Sequence, residues 1–288
     1  MRQDLAVVCA PFECGCSREG ASLASKMLVD KCELAHLANV ECVDVQNDKQ
    51  DKESYGVKNY AAVIQACSAL RDEVARLMAS GKRVLTIGGD HSIALGSIAG
   101  VLEQNANVGV IWFDAHGDIN TEATSPSANA HGMPVAALMG LCESGLNEIA
   151  CVRLKPENIF WVGARDLDAG EKETIERLGI ADNVYSTERV HEMGMATVME
   201  DISRKMETQG IEAVHLSFDI DGMDPSIVWA TGTRVENGLK QEDLEAFVDG
   251  LRRLPEMKSM DFVEYNPLMD DEEKRTGKWC VEMMRKLL

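Results

Sequence analysis

The stretch that most constrains this chain is Val110-Ile111-Trp112-Phe113-Asp114-Ala115-His116-Gly117-Asp118-Ile119-Asn120. Its first half is an apolar run of the kind found in strands buried on both faces, as in a parallel sheet. Its second half, following without a break, is Asp-x-His-x-Asp. Burying one ionised carboxylate unpaired costs several kcal/mol, and burying two costs more. Either a cation sits among Asp114, His116 and Asp118, or the strand has ended and these groups are solvated. The first alternative demands further His and Asp residues at other strand ends.

The rest of the chain alternates strand and helix. Strand patterns run over 4–9, 40–45, 83–87, 108–113, 158–163, 183–185, 213–218 and 258–263, and helical spacing over 21–36, 55–80, 93–104, 132–142, 171–178, 196–208, 240–254 and 273–287. Residues 48–54 read as a solvated connection. With no repeat, linker or low-complexity tract, this pattern implies one α/β domain over 1–288 with a mainly parallel sheet. A net charge of −19 argues against nucleic acid or an anionic membrane as partner. No apolar run reaches the length of a membrane span, and residues 1–10 do not read as a signal peptide. Nine cysteines, an odd count, fit free thiols in a reducing cytoplasm. Cys14-Gly15-Cys16 lacks a second pair that would complete a zinc site.

Acidic or histidine residues stand at four strand ends: His91; Asp114, His116 and Asp118; Asp219 and Asp221; and Glu264. In a parallel sheet these ends share one edge, where ligands of open α/β folds collect. Residues two apart on an extended strand face the same way, so Asp114, His116 and Asp118 could converge, as could Asp219 and Asp221. Gly88-Gly89-Asp90-His91-Ser92 lacks the spacing and the Lys of a phosphate loop. With both histidines neutral as ligands, Asp114, Asp118, Asp219 and Asp221 carry four negative charges, which two divalent cations neutralise. Six ligands are too many for one tetrahedral zinc. Oxygen-rich ligands with one His per metal suit Mn²⁺, with geometry and supply choosing the metal. Water between two such ions loses a proton near neutral pH.

Gly88-Gly89-Asp90-His91-Ser92, Asp114 to Asn120, His131-Gly132 and Ser217-Phe218-Asp219-Ile220-Asp221-Gly222-Met223-Asp224-Pro225 resemble, in order and spacing, the signatures of the ureohydrolases, the arginase and agmatinase family. The resemblance runs from about Ala10 to Asn266. It implies a three-layer α/β/α fold with an eight-stranded sheet and two Mn²⁺ per subunit, at which a hydroxide hydrolyses a guanidinium group to urea and an amine. His91, Asp114, Asp118 and Asp219 would hold the first manganese, and His116, Asp114, Asp219 and Asp221 the second, with Asp114 and Asp219 bridging. Asp118 would also orient the hydroxide. Glu264 matches the carboxylate that pairs with the guanidinium, with Thr233 near it, and His131 matches a proton shuttle to the leaving amine.

The loop from Asp118 to His131 has the long form found in arginases, with Asn120, Ser125 and Ser127 at the positions of their α-carboxylate donors. In the segment from Ala164, Asp168 and Glu171 would serve the α-amino group. A site built to bind a carboxylate rejects a substrate without one, because its buried donors stay unpaired. L-arginine is therefore the expected small-molecule partner. The alternatives are agmatine, formiminoglutamate or another guanidino acid, or a metal-bound scaffold without catalysis. The chain departs from the common pattern at Leu23-Ala24-Ser25-Lys26, Val228-Trp229, Arg234 and Glu236-Asn237-Gly238. The resemblance further implies a homo-oligomer, trimer or hexamer.

Overall fold

A computed structural model describes residues 4–32, 34–50 and 52–288. Its core is an eight-stranded sheet made of β1 (Leu5–Ala10), β2 (Asn39–Cys42), β5 (Arg83–Gly88), β6 (Gly109–Phe113), β7 (Ile159–Val162), β8 (Val184–Tyr185), β9 (Ala213–Asp219) and β10 (Glu256–Val263). Two further strands, β3 (Glu53–Ser54) and β4 (Val57–Lys58), form a separate antiparallel hairpin. The sheet order is β2-β1-β5-β10-β9-β6-β7-β8, and every pairing in it is parallel. All eight expected strands are present, and "mainly parallel" becomes wholly parallel.

Helices cover both faces. They are α1 (Ala24–Lys31), α2 (Leu34–Leu37), α3 (Tyr60–Ala79), α4 (Ala94–Gln104), α5 (Pro134–Met139), α6 (Leu146–Ile149), α7 (Ala169–Leu178), α8 (Thr187–Met193), α9 (Met195–Thr208), α10 (Gln241–Leu251) and α11 (Arg275–Leu287). Strand alternation divides the core between two layers. On β6, Val110 and Trp112 join the apolar layer with Cys67 and Leu70 of α3 and Ile98 of α4. Ile111 and Phe113 join the opposite layer with Ile202 of α9, Phe247 of α10 and Met284 of α11. Both faces of a central strand are thus apolar, which is why the run from Val110 to Phe113 shows no polar alternation.

Three local expectations need correction. The helix expected from Tyr55 starts at Tyr60, because Tyr55, Gly56 and Asn59 all have positive φ and turn the chain through the β3–β4 hairpin. That hairpin also replaces part of the solvated connection over 48–54. The helix expected over 132–142 is only Pro134–Met139, stopped by Gly140 in the left-handed region. The third concerns the opening stretch: β6 ends at Phe113, and Asp118 has φ 50. Asp114, His116 and Asp118 therefore do not lie on one extended strand. Likewise Asp219 ends β9 and Asp221 sits in a 3-10 turn over Ile220–Gly222.

Candidate metal centre and substrate cavity

The four strands that carry the acidic and histidine residues, β5, β10, β9 and β6, are neighbours at the middle of the sheet. Their carboxyl ends bring His91, Asp114, Asp118, Asp219, Asp221 and Glu264 to one place. His91 Nδ1 lies 2.8 Å from Asp114 Oδ2, 3.2 Å from Asp118 Oδ2 and 3.1 Å from Asp219 Oδ2. His116 Nδ1 lies 3.2 Å from Asp114 Oδ1 and 3.3 Å from Asp221 Oδ2. The two oxygens of Asp114 thus face two different histidines.

Loop chemistry, in place of strand alternation, produces this convergence. Asp114 Oδ1 accepts the His116 N–H at 2.7 Å, and Asp219 Oδ1 accepts the Asp221 N–H at 2.8 Å. Each aspartate closes a tight turn over the residue two places on and swings the next ligand inward. Asp221 Oδ1 accepts the Ala115 N–H at 3.1 Å, which ties the two turns together. Asp118 and Glu264 both hold positive φ, 50 and 66, a conformation that L-residues rarely adopt and that clusters at functional sites.

The donor set suits a cation. His91 Nδ1 and Asp114 Oδ2 are both fully buried and close together, yet neither has a hydrogen-bond partner. Buried polar atoms are rarely left so, and lone pairs converging on a shared ion have this geometry. His91, Asp114 and Asp219 offer ligand atoms all within 4.8 Å of one another, and so do Asp114, His116 and Asp221. Asp219 belongs to the first group only. His91 Nε2 pairs with Ser217 Oγ at 2.9 Å, and its ring stacks on Trp112 at 4.2 Å, which fixes the imidazole with Nδ1 toward the carboxylates.

Electrostatics point the same way. Burial and the neighbouring carboxylates Asp221 and Asp114 push Asp219 well above the usual carboxylate range. Burial and Asp114 push Asp118 up to about 6. Burial opposes charge on His91 and His116, but the surrounding aspartates raise both well above an ordinary imidazole. A cation at this cluster would relieve the same carboxylate repulsion that favours protons there.

A cavity of about 240 Å³ opens above the cluster. His91, His116, Asp118 and Asp219 reach it from below, and Asn120, Ser125, Ser127, His131, Asp168, Glu171 and Thr233 line its walls. Glu264 is not on the wall. Its Oε1 accepts the His91 N–H at 2.8 Å and lies 3.4 Å from His131 Nδ1. Burial opposes charge on His131, but Glu264 raises it to about 9. Thr233 donates its hydroxyl to Asp221 Oδ2 at 3.0 Å, so it braces an acidic residue of the floor.

The rim residues have partners of their own. Asp168 is the N-cap of α7 and Glu171 its N3 residue, and each side chain bonds the other's backbone in a capping box. Glu171 Oε1 also accepts the Ile119 N–H at 3.3 Å. Burial and Asp118 push Glu171 up to about 8. Asn120 Nδ2 donates to Asp168 Oδ2 at 2.7 Å. Ser125 Oγ accepts the Ala128 N–H at 3.1 Å, and Ser127 Oγ accepts the Asn129 N–H at 3.2 Å.

Arg165 escaped sequence reasoning as a site residue. Its guanidinium donates to six carbonyls, those of Gly163, Asp221, Gly222, Met223, Val235 and Glu236, and so staples the Asp221 turn to the loop after Thr233. The unusual Trp229 lies under the Arg275 guanidinium, 4.7 Å from it, in a cation–π contact. Nothing in the structure explains Arg234.

Comparisons with known proteins bear on the family of the chain. An arginase from Bacillus caldovelox is 34% identical over 98% of this chain and 97% of its own length. One from Brevibacillus brevis is 36% identical over 99% and 97%. The crystal structure of Entamoeba histolytica arginase in complex with L-ornithine superposes with a TM-score of 0.91 at 34% identity, covering 100% of this chain and 99% of that one. The model of the Arginase family matches residues 3–288, and the chain belongs to that family.

Proposed function

We propose that the protein hydrolyses the guanidinium group of L-arginine to L-ornithine and urea, as one domain over 1–288 with two Mn²⁺ per subunit. The observation that carries the substrate is the state of Ser125 and Ser127. Each hydroxyl oxygen already accepts a backbone N–H, so its own proton is left to donate outward. Two such donors, with the amide of Asn120, suit a carboxylate at one end of a cavity whose floor suits cations. Asp168 adds a negative charge on the wall for an α-ammonium, with Glu171 beside it.

His91, Asp114, Asp118 and Asp219 would hold one ion, and His116, Asp114, Asp219 and Asp221 the other. Asp114 has both oxygens placed to bridge. Bound divalent cations supply a nucleophile at neutral pH and offset the carboxylate charge. Asp118, which faces the cavity and lies 3.2 Å from His91 Nδ1, would hold the first ion and orient the nucleophile. Glu264 draws the guanidinium to the floor and keeps His131 protonated. His131, raised to about 9, then gives its proton to the leaving amine nitrogen. The same reading makes the protein a cytoplasmic homo-oligomer, trimer or hexamer. Among the described residues no helix is long and apolar enough to cross a membrane.

Urea release from L-arginine and agmatine, side by side, with and without added manganese, tests the proposal. Manganese-dependent urea from L-arginine, with agmatine turned over far more slowly, is the expected result. Equal turnover of the two would remove the carboxylate from the argument, and no urea from either after manganese loading would end it.

A further inference from the structure

The β3–β4 hairpin is not part of the central sheet, yet it is tied to the substrate loop. Its anchor is Val57, fully buried in the apolar layer that also holds α3 and α4. Its turn residue Gly56, at φ 73, packs so closely on Glu122 that a Cβ there would come within 2.9 Å of the Glu122 Cβ. The Glu122 carboxylate in turn accepts the N–H groups of Glu143 and Ser144, so the start of the loop is pinned between the hairpin and the segment after α5.

The far end of the loop is held more directly. The Lys58 N–H points out of the hairpin and donates to the Ala128 carbonyl at 2.8 Å. Ala128 has φ 57, a left-handed conformation that alanine disfavours and that an outside contact must maintain. In that conformation its N–H donates to Ser125 Oγ at 3.1 Å. The bonds form one chain from Lys58 N–H to Ala128 C=O, then from Ala128 N–H to Ser125 Oγ. With that oxygen held as an acceptor of the Ala128 N–H, the hydroxyl proton is left free to donate into the cavity that Ser125 lines.

We infer that the β3–β4 hairpin is a specificity element, in which the Lys58 N–H, acting through Ala128, sets the Ser125 hydroxyl as a donor to the substrate carboxylate. This rests on the arginase reading above. Lys58 is a positioning residue that does not itself line the cavity, so its influence falls on substrates that carry an α-carboxylate and spares those that do not.

Lys58→Pro removes the donor N–H, and Val57→Ala loosens the hairpin at its anchor without touching any polar group. Each is compared with Ser125→Ala and with the corresponding double variant, using manganese-loaded protein and both L-arginine and agmatine. Lys58→Pro should raise KM for L-arginine about tenfold, the loss expected when one hydrogen bond to a charged group is misaligned. Its kcat, its bound manganese and its kcat/KM for agmatine should stay close to the parent. Val57→Ala should shift KM the same way by less. In combination with Ser125→Ala, neither should add to the effect of Ser125→Ala alone. Full additivity, or equal losses on both substrates, would overturn the inference. If Lys58→Pro does not fold, Val57→Ala decides on the same criteria. If Ser125→Ala itself leaves KM for L-arginine unchanged, the carboxylate reading fails instead, and with it the role given to the hairpin.

Discussion

The floor and the rim of the cavity are built on opposite plans. The floor is made of side chains at the ends of the four central strands, nearly all fully buried, with ligand atoms 2.8–3.3 Å apart and too little positive charge among them. The rim is made of side chains on a long loop and a helix start, each already engaged with its own backbone. The floor brings together a donor set that suits cations. The rim is complete as protein and offers only leftover protons and lone pairs. Substitutions in the floor should therefore act through metal content, and those in the rim through substrate affinity. Asp114→Asn gives the largest contrast. It removes charge from Asp114, whose two oxygens face the two histidines and which is common to both clusters of candidate ligand atoms. Elemental analysis should show loss of both ions, and urea release should fall by more than the ~100-fold typical of losing an outer partner. A variant that kept two ions would show that the two halves of the floor are independent.

Arg165 lies between the two plans. It touches neither cavity nor ligand oxygen, but it holds the Asp221 turn by backbone carbonyls. Lysine cannot reproduce a planar fork that reaches six acceptors. Arg165→Lys should weaken binding of one ion, on the His116 and Asp221 side, by roughly 10- to 100-fold. Excess manganese should restore turnover, with KM for L-arginine little changed. Titration of metal against activity checks this. A KM shift that excess metal does not correct would place Arg165 with the rim.

Sequence alone made the floor legible and the rim only partly so, for a physical reason. Asp114, His116, Asp118, Asp219 and Asp221 carry chemistry that a buried strand end cannot tolerate without compensation, so residue type and position suffice. The central strand β6 was legible because a strand buried on both faces must be continuously apolar, whereas β2 at the sheet edge is half exposed and mixed in sequence. The order of the strands was not legible, because a crossover helix does not encode which strand it returns beside. Nor was the route of convergence: extended alternation was a sound geometric argument, but aspartate side chains closing turns on their own backbone replaced it. Asp168 and Glu171 show how one spacing in the rim carries two readings. Asp-x-x-Glu before a helix is also the spacing of a capping box, and the structure shows that both side chains serve α7. The hairpin was hidden because Tyr55 and Val57 continue the apolar pattern of α3, and only Gly56 hints at a turn.

Glu171 gives the smallest and most discriminating test, because it must be either a helix cap or a charge that meets the substrate. Burial, with Asp118 nearby, lifts its carboxyl to about 8. An unfolded glutamate titrates near 4.3. Between those values the folded protein holds a proton that the unfolded chain has released, so stability falls as pH rises through that window and levels off above it. Glu171→Gln cannot titrate, and glutamine still fits the third position of a capping box. In metal-free protein, the melting temperature of the parent should therefore fall relative to the variant from about pH 5 to pH 8, by a few degrees, since ~1 kcal/mol moves Tm about 2–4 °C in a chain of this size. A gap that moves the other way would mean that Glu171 is ionised in the folded state. Glu171→Gln should also leave KM for L-arginine within about twofold, because both oxygens of its carboxyl already accept backbone N–H groups, those of Asp168 and Ile119. A large rise in KM would return Glu171 to the set of substrate ligands and leave Asp168 as the cap.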